Sequence, residues 1–357
     1  MNHNDLYISG IASWYPKPVP VDKAIDAGWY DEATARRTGQ LSAAIAGDDD
    51  SQPEMAVRAG RLALRHAGIP AGDFALLLHA TCGFSGLDGW NVASYLQHRI
   101  LAGNGLSFEV RQQSNGALSA IELAAAYLKA GTDRTAAVIT ASDRFAEPVW
   151  DRWKVYTGLV FGDGASAAVI SRTPGFARVV SVVTESRPEL EGAQRGALPF
   201  TPNPDPRDTA AYPVSLIERM KSFAAHTDFP SGGRGLSEVF RRMNAALIDS
   251  VTTAAAEAGI RPADADHIIF PNFGRTMLQQ EVLDPLGLDI DQTLWRWGRE
   301  IGHTGATDQF GALDHLVRTG ALEPGQRVLM TGIGLGFNWT TVALEILERP
   351  TPLGPEI

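Results

Sequence analysis

Three side chains in this 357-residue sequence could together run nucleophilic acyl chemistry: Ser114, His303 and Asp308. A serine hydroxyl is a poor nucleophile at neutral pH, so it needs an adjacent base, and the base needs an orienting partner. What relates these residues is repetition within the chain. Ser114 lies seventeen residues before Gly131, and His303 seventeen before Gly320. The segments that follow match each other, AAAYLKAGTDRTAAVITAS at 124–142 and LDHLVRTGALEPGQRVLMTG at 313–332. Ser114 and His303 are therefore equivalent positions of a duplicated unit. If a helix starts near each, the two N-termini meet where the halves join, and hydroxyl and imidazole share a site at positive helix ends, suited to a developing oxyanion. Asp308 follows His303 by five residues in GHTGATDQF. Helical spacing favours three or four, so contact between them requires an irregular turn. The glycine-rich TGIGLGFNW near the C-terminus can turn backbone N–H groups toward an oxyanion. Residue types alone also fit a blander set of roles: an N-cap serine, a satisfied core histidine and a first-turn acid.

The elements that would position these residues alternate along the chain. Helical periodicity runs through 53–68, 115–130, 238–259 and 308–319, with strand-like runs at 74–80, 135–140, 178–184, 266–270 and 326–331. That alternation predicts βαβ crossovers and a largely parallel sheet covered by helices. A second internal match, Ala67-Gly68-Ile69-Pro70 before FALLLHA and Ala258-Gly259-Ile260-Arg261-Pro262 before HIIF, supports duplication, each glycine reading as a left-handed helix cap. The halves divide near Arg172 to Gly175, giving 1–174 with the nucleophile and 175–357 with the base and glycine loop. The Pro- and Gly-rich stretch from Pro199 to Gly235 reads as an insertion or lid.

Composition narrows the function. A net charge of -10 with no basic cluster disfavours nucleic-acid binding. The single cysteine, Cys82, excludes an internal disulfide and a cysteine-based zinc site, and reads as a small apolar filler. No metal is expected. With no leader-like start and no apolar run of membrane-spanning length, the expectation is a soluble, cytoplasmic protein.

Several motifs in fixed order resemble the ketoacyl-ACP synthase III family of the thiolase-like superfamily. FEVRQQSNG at 108–116 is similar to its nucleophile segment, with Ser114 at the cysteine, and FGDGASAAVI at 161–170 to its strongest fixed motif. RRTG at 36–39, TCGFSGLDGWNVASYLQHRI at 81–100, GHTGATD and GLGFNW extend the likeness over nearly the whole chain. The resemblance implies a five-layered αβαβα fold, a homodimer built partly across the first half, and ping-pong acyl transfer from acyl-CoA or a phosphopantetheine-bearing acyl carrier protein, with no bound cofactor. Condensing members use Cys, His and Asn. Here Ser114 replaces the cysteine, FPNFGR leaves Pro271 or Asn272 near the usual histidine, and His303 takes the asparagine position.

That pattern resembles a divergent acyltransferase and starter-unit branch of antibiotic and polyketide biosynthesis. It implies Ser114 as acyl-bearing nucleophile, His303 as base, Asp308 as its partner, and the amides of Ser114 and Leu335 as oxyanion hole. Asn272 is a further candidate active-site polar group. The family's adenine-stacking tryptophan aligns with Ala33, whereas the following arginine is kept as Arg37. Arg37 and Lys154, with Arg152, are candidates for donor binding, and the missing aromatic favours a carrier-protein donor. Trp295 and Trp297 are candidates for an acyl or acceptor pocket, or for core packing. The expected reaction moves an acyl group to a small-molecule or carrier-protein acceptor. Decarboxylative starter-unit condensation and a catalytically silent partner subunit are the alternatives.

Overall fold

The computed structural model describes residues 5–87, 89–131, 133–196, 214–229 and 232–352. Nine strands form one hydrogen-bonded array: β1 (Tyr7–Trp14), β2 (Phe74–Ala80), β3 (Leu106–Val110), β4 (Ala136–Asp143), β5 (Gly164–Ser171), β6 (Ala177–Ser186), β7 (His267–Ile269), β8 (Arg327–Gly334) and β9 (Asn338–Ile346). Their order is β3-β2-β4-β5-β1 followed by β6-β9-β8-β7. The join is slight: β1 meets β6 only through Tyr7 with Arg178 and Ile8 with Ala177. Two sheets of equivalent order result, and even the missing edge strand of the second has a trace in a parallel bridge from Ile268 to Thr293.

Four helices complete the layers: α1 (Gln52–Ala67), α2 (Gly116–Lys129), α3 (Gly235–Glu257) and α4 (Asp308–Arg318). α1 covers the outer face of the first sheet and α3 that of the second, while α2 and α4 lie between the sheets. This is the five-layered αβαβα arrangement of the thiolase-like fold. Strand alternation sorts the side chains. Leu76, Leu78, Val328 and Met330 enter the central core around α2 and α4, whereas Leu77 faces α1 and Leu329 faces α3. α2 is rich in alanine because it is buried between two sheets, and its Ala117, Ala120, Ala124 and Ala125 are fully covered. α1 starts at the Ser51 hydroxyl, which accepts from Glu54 N at 3.4 Å, and ends at left-handed Gly68.

The expectation of a largely parallel sheet needs correction. β2 runs parallel to β3 and β4, and β7 to β8, but β4–β5, β5–β1, β6–β9 and β8–β9 are antiparallel. The reason lies in the connections. β4 reaches β5 through the helix-poor loop at 144–163, and β8 returns as β9 through a three-residue turn, so neither makes a helical crossover. Of the expected lid, residues 199–213, 230 and 231 lie outside the described residues. Its described part includes the helix Leu216–His226, packed on α3.

Candidate active site

Two short 3-10 turns meet at the centre of the molecule. Gln113–Asn115 leads into α2, and Gly305–Thr307 leads into α4. Ser114 sits in the first. Gln113, just before it, holds a left-handed φ of 51°. Such a conformation costs a non-glycine residue about 1–3 kcal/mol, and here it swings the chain from β3 into α2 with the serine at the bend. Side-chain amides lock the bend to β9: Asn115 donates to Asn338 and, at 2.9 Å, to Thr340, and Asn338 donates to Gln112.

His303 is held from the other half. Its N–H donates to Val160 O at 2.8 Å and its carbonyl accepts from Gly162 N at 2.9 Å. This explains the FGDGASAAVI segment locally. A side chain at Gly162 would strike Ile301 O, and Phe161 packs on the imidazole with centroids 5.2 Å apart. Asp163 ties the loop together by accepting from Ala46 N, Phe145 N and the Arg152 guanidinium. Arg152 is thereby committed to the fold.

The imidazole bridges the two halves. Ser114 Oγ lies 2.8 Å from His303 Nε2, and His303 Nδ1 lies 2.5 Å from Asp308 Oδ2. Ser114 is 7% exposed, His303 4% and Asp308 not at all. The five-residue spacing closes because Gly305 takes φ +68°. A side chain there would collide with Asp143 and Cys82. Asp308 is saturated with donors: Asn272 N (2.8 Å) joins His303 on Oδ2, and Thr304 N (2.8 Å), Thr304 Oγ1 (2.7 Å) and Asn272 Nδ2 (3.2 Å) reach Oδ1. Asn272 also donates to Gly302 O at 2.9 Å. It touches the acid and stays off the cavity wall, one residue removed from the reacting atoms.

Sequence reasoning missed Asp143. Buried at the end of β4, it accepts from Thr81 Oγ1 (3.0 Å) and Cys82 N (2.7 Å) on one side and Ala306 N (2.9 Å) on the other. It thus fastens the loop after β2 to the turn that carries His303 and Asp308. Burial pushes its carboxyl up to about 6. Cys82, read as a filler, stands with Sγ 3.7 Å from Ser114 Oγ. Burial first, then the Asp143 charge, raises its thiol well above the usual range, so it stays protonated beside the serine.

A cavity of about 100 Å3 opens onto Ser114 and His303. One water needs about 10–15 Å3 by this measure, so the space suits a small organic group. Its wall is mostly apolar and aromatic, including Trp150, Tyr156, Phe273 and Trp339, with Leu216 and Met220 from the Leu216–His226 helix and Leu335 from the β8–β9 turn. Trp295 and Trp297 are not part of this wall. Trp295 packs under Arg275 and Arg299, and Trp297 against Tyr15 and His315. Arg37 lines a separate outer pocket with Thr38 and Thr276. Lys154 is 61% exposed, pairs with Asp151 at 3.8 Å, and lies outside both.

Over 98% of its length this chain superposes on 99% of the acyltransferase ChlB3, with a TM-score of 0.87 and 34% identity. The chain belongs to the 3-oxoacyl-[acyl-carrier-protein] synthase III family. The family's sequence description matches residues 108–188, and that of its C-terminal part matches 255–346. The synthase III of Streptomyces lividans is 27% identical over 355 residues, 96% of this chain and 95% of its own. That of Neisseria meningitidis is 29% identical, covering 95% and 98%. The priming β-ketosynthase of the R1128 polyketide pathway shares the fold at a TM-score of 0.73 and 24% identity, with 98% of both chains covered. This synthase III relative is an enzyme of the acyltransferase kind. No described helix is long and apolar enough to cross a membrane, and no metal-binding cluster occurs among the described residues.

Proposed function

We propose that this enzyme carries an acyl group on Ser114 and transfers it from an acyl carrier protein or CoA thioester to a hydroxyl or thiol acceptor, in specialised metabolism of the polyketide and antibiotic kind. One observation carries the reading: a buried serine, imidazole and carboxylate in line at 2.8 and 2.5 Å. His303 Nε2 takes the Ser114 proton as Oγ attacks the thioester carbonyl, and gives it to the departing thiolate. The Ser114 and Leu335 amides bind the tetrahedral oxyanion. Acceptor O–H or S–H then loses its proton to His303 and attacks the ester, and the returning proton restores the serine. Asp308 keeps the Nδ1 proton in place and stabilises the imidazolium. Decarboxylative condensation calls for neutral donors around an enolate oxygen. Here the Asn272 amide is spent on Asp308 and Gly302, which favours plain transfer.

Arg37 at the outer pocket supports a phosphate-bearing donor arm, with Lys154 as a second, more exposed cation. The duplicated halves divide at 174/175, between β5 and β6. A cytoplasmic homodimer completes the proposal. β3 is an edge strand whose Leu106 (47%) and Phe108 (50%) are exposed, and the likewise exposed Phe84 and Leu87 share a pocket with its Glu109, an apolar edge of the kind proteins cover. Incubation with acyl-thioester donors and hydroxyl acceptors tests the reaction. Transfer of the intact acyl mass is expected, whereas carbon dioxide and a product two carbons longer from a malonyl donor would establish condensation instead.

A further inference from the structure

One side chain of the cavity has no place in the mechanism above. Glu281 lies on a single π-helical turn, Leu278–Leu283, set between Arg275–Met277 and Asp284–Leu286. Such turns insert an extra residue and redirect the side chains around it, often where a protein binds something. Glu281 and Met277 are the two residues that line both the cavity of Ser114 and the outer pocket of Arg37, so Glu281 stands at the passage between them. On the cavity side its surroundings are apolar, with Met277 and Val282 on its own segment and the Tyr156 ring, whose hydroxyl is near enough to feel its charge; on the outer side the half-buried Glu281 shares its pocket with Arg37, Thr38 and Thr276, none of which bonds to it.

A carboxylate in such a place is normally paired. Among the described residues the Glu281 carboxylate has no hydrogen bond or ion pair, and burial pushes it up to about 6. A ligand carrying a hydrogen-bond donor would satisfy it, and a ligand carrying another carboxylate would be repelled by it.

We propose that Glu281 is a specificity-determining residue that selects small-molecule substrates bearing a hydroxyl or ammonium donor and rejects those bearing a second carboxylate. The inference rests on the reading of Ser114 as the acylated residue, since it takes the same cavity as the substrate chamber. The donor group can belong to the acyl chain or to the acceptor.

Two arms separate these sources. In the first, Ser114→Ala protein is titrated with pantetheine thioesters of hexanoate, 3- and 6-hydroxyhexanoate, 6-aminohexanoate and adipate, read by the fluorescence of Trp150 and Trp339. In the second, acetylated wild-type enzyme is discharged with 1-hexanol, 1,6-hexanediol or 6-amino-1-hexanol. In at least one arm the donor-bearing probe is expected to be favoured about tenfold or more over its plain partner, the scale of a hydrogen bond to a charged group. Glu281→Leu should erase that preference. Glu281→Gln, close to isosteric, should keep part of the hydroxyl preference, lose the ammonium preference and accept adipate better. Unchanged selectivity of both variants in both arms would overturn the proposal. Failure of Ser114 acetylation would count against the mechanism alone; in that case the three alcohols are titrated against Ser114→Ala protein by the same fluorescence, so that both sources are still tested without an acyl-enzyme.

Discussion

Replacing Asp308 by asparagine perturbs the site at its most crowded atom pair. Both carboxylate oxygens accept only from donors, Oδ2 from His303 Nδ1 and Asn272 N, Oδ1 from Thr304 N, Thr304 Oγ1 and Asn272 Nδ2. An asparagine keeps one acceptor, so its NH2 must face donors whichever way it turns. Pointed toward His303, it forces the imidazole into the tautomer with a proton on Nε2, which cannot accept the Ser114 proton. Loss of the orienting carboxylate in a serine triad costs about 10^4 in turnover. Pointed toward Thr304, it leaves two or three buried donors unmatched, at about 1–3 kcal/mol for each group. The orientation toward His303 leaves only Asn272 N unmatched and is the cheaper one, so the expected result is acylation slowed by about 10^3 to 10^4, with loss of stability of about 1–3 kcal/mol. Rapid-quench sampling followed by intact-protein mass measurement gives the acylation rate, and urea unfolding gives the stability. A folded Asp308→Asn enzyme that acylates within threefold of the wild type would refute the assignment of Asp308 as the partner of the base.

Asp143→Asn should lower stability by about 1–3 kcal/mol and slow acylation, because only one of its oxygens can still accept while Cys82 N and Ala306 N both need an acceptor; urea midpoints with acylation rates check this, and wild-type values for both would discount Asp143 as the fastener of the two turns. Light scattering should find twice the 38.3 kDa chain mass for the wild type and a shift toward the single chain in Phe108→Lys, and a wild-type monomer at micromolar concentration would remove the dimer. Burial pushes His79 down from 6.5 to about 4 and Asp143 up from 3.8 to about 6. As pH falls through 6.5 toward 4, the unfolded chain gains the His79 proton and the fold loses about 3 kcal/mol; between about 6 and 3.8 the folded protein holds the Asp143 proton and recovers a similar amount. His79→Gln removes only the loss, so its stability relative to wild type should rise on acidification from pH 7 to 4.5, and parallel denaturation midpoints at both pH values would contradict this.

The four long helices were legible because each has a 3.6-residue period with glycine beyond its end, as at Gly68, Gly131, Gly259 and Gly320. Strands were legible where leucine and β-branched residues concentrate, as in Phe74–Ala80. β5, GASAAVIS, escaped a pattern-based reading because α1 and α4 cover its two faces closely, which selects small residues over β-branched ones. β3 escaped because most of its residues are at least partly exposed on a sheet edge. Strand direction depends on connections, and nothing in the loop at 144–163 marks it as a return and not a crossover.

At the site, duplication related Ser114 to His303, since equivalent helix starts in a two-fold fold must meet. Asp308 needed the turn that Gly305 provides. Asp143 and Glu281 carry no local signal: the partners of Asp143 are far away in sequence apart from their meeting in space, and Glu281 sits in a helical segment where a glutamate is ordinarily a solvated residue.

The central claim is that the acyl group resides on the Ser114 oxygen. Wild-type and Ser114→Ala proteins, each mixed with acetyl, hexanoyl and malonyl thioesters of a phosphopantetheinylated carrier protein and of CoA, would be read by intact mass and by peptide mapping of residues 108–134. The account requires an acyl increment on the wild-type peptide at Ser114 that survives neutral hydroxylamine, as an oxygen ester does and a thioester does not, and none on Ser114→Ala. An increment that survives in Ser114→Ala, for instance on Cys82, or no increment on either protein while acceptor is still acylated, would contradict it.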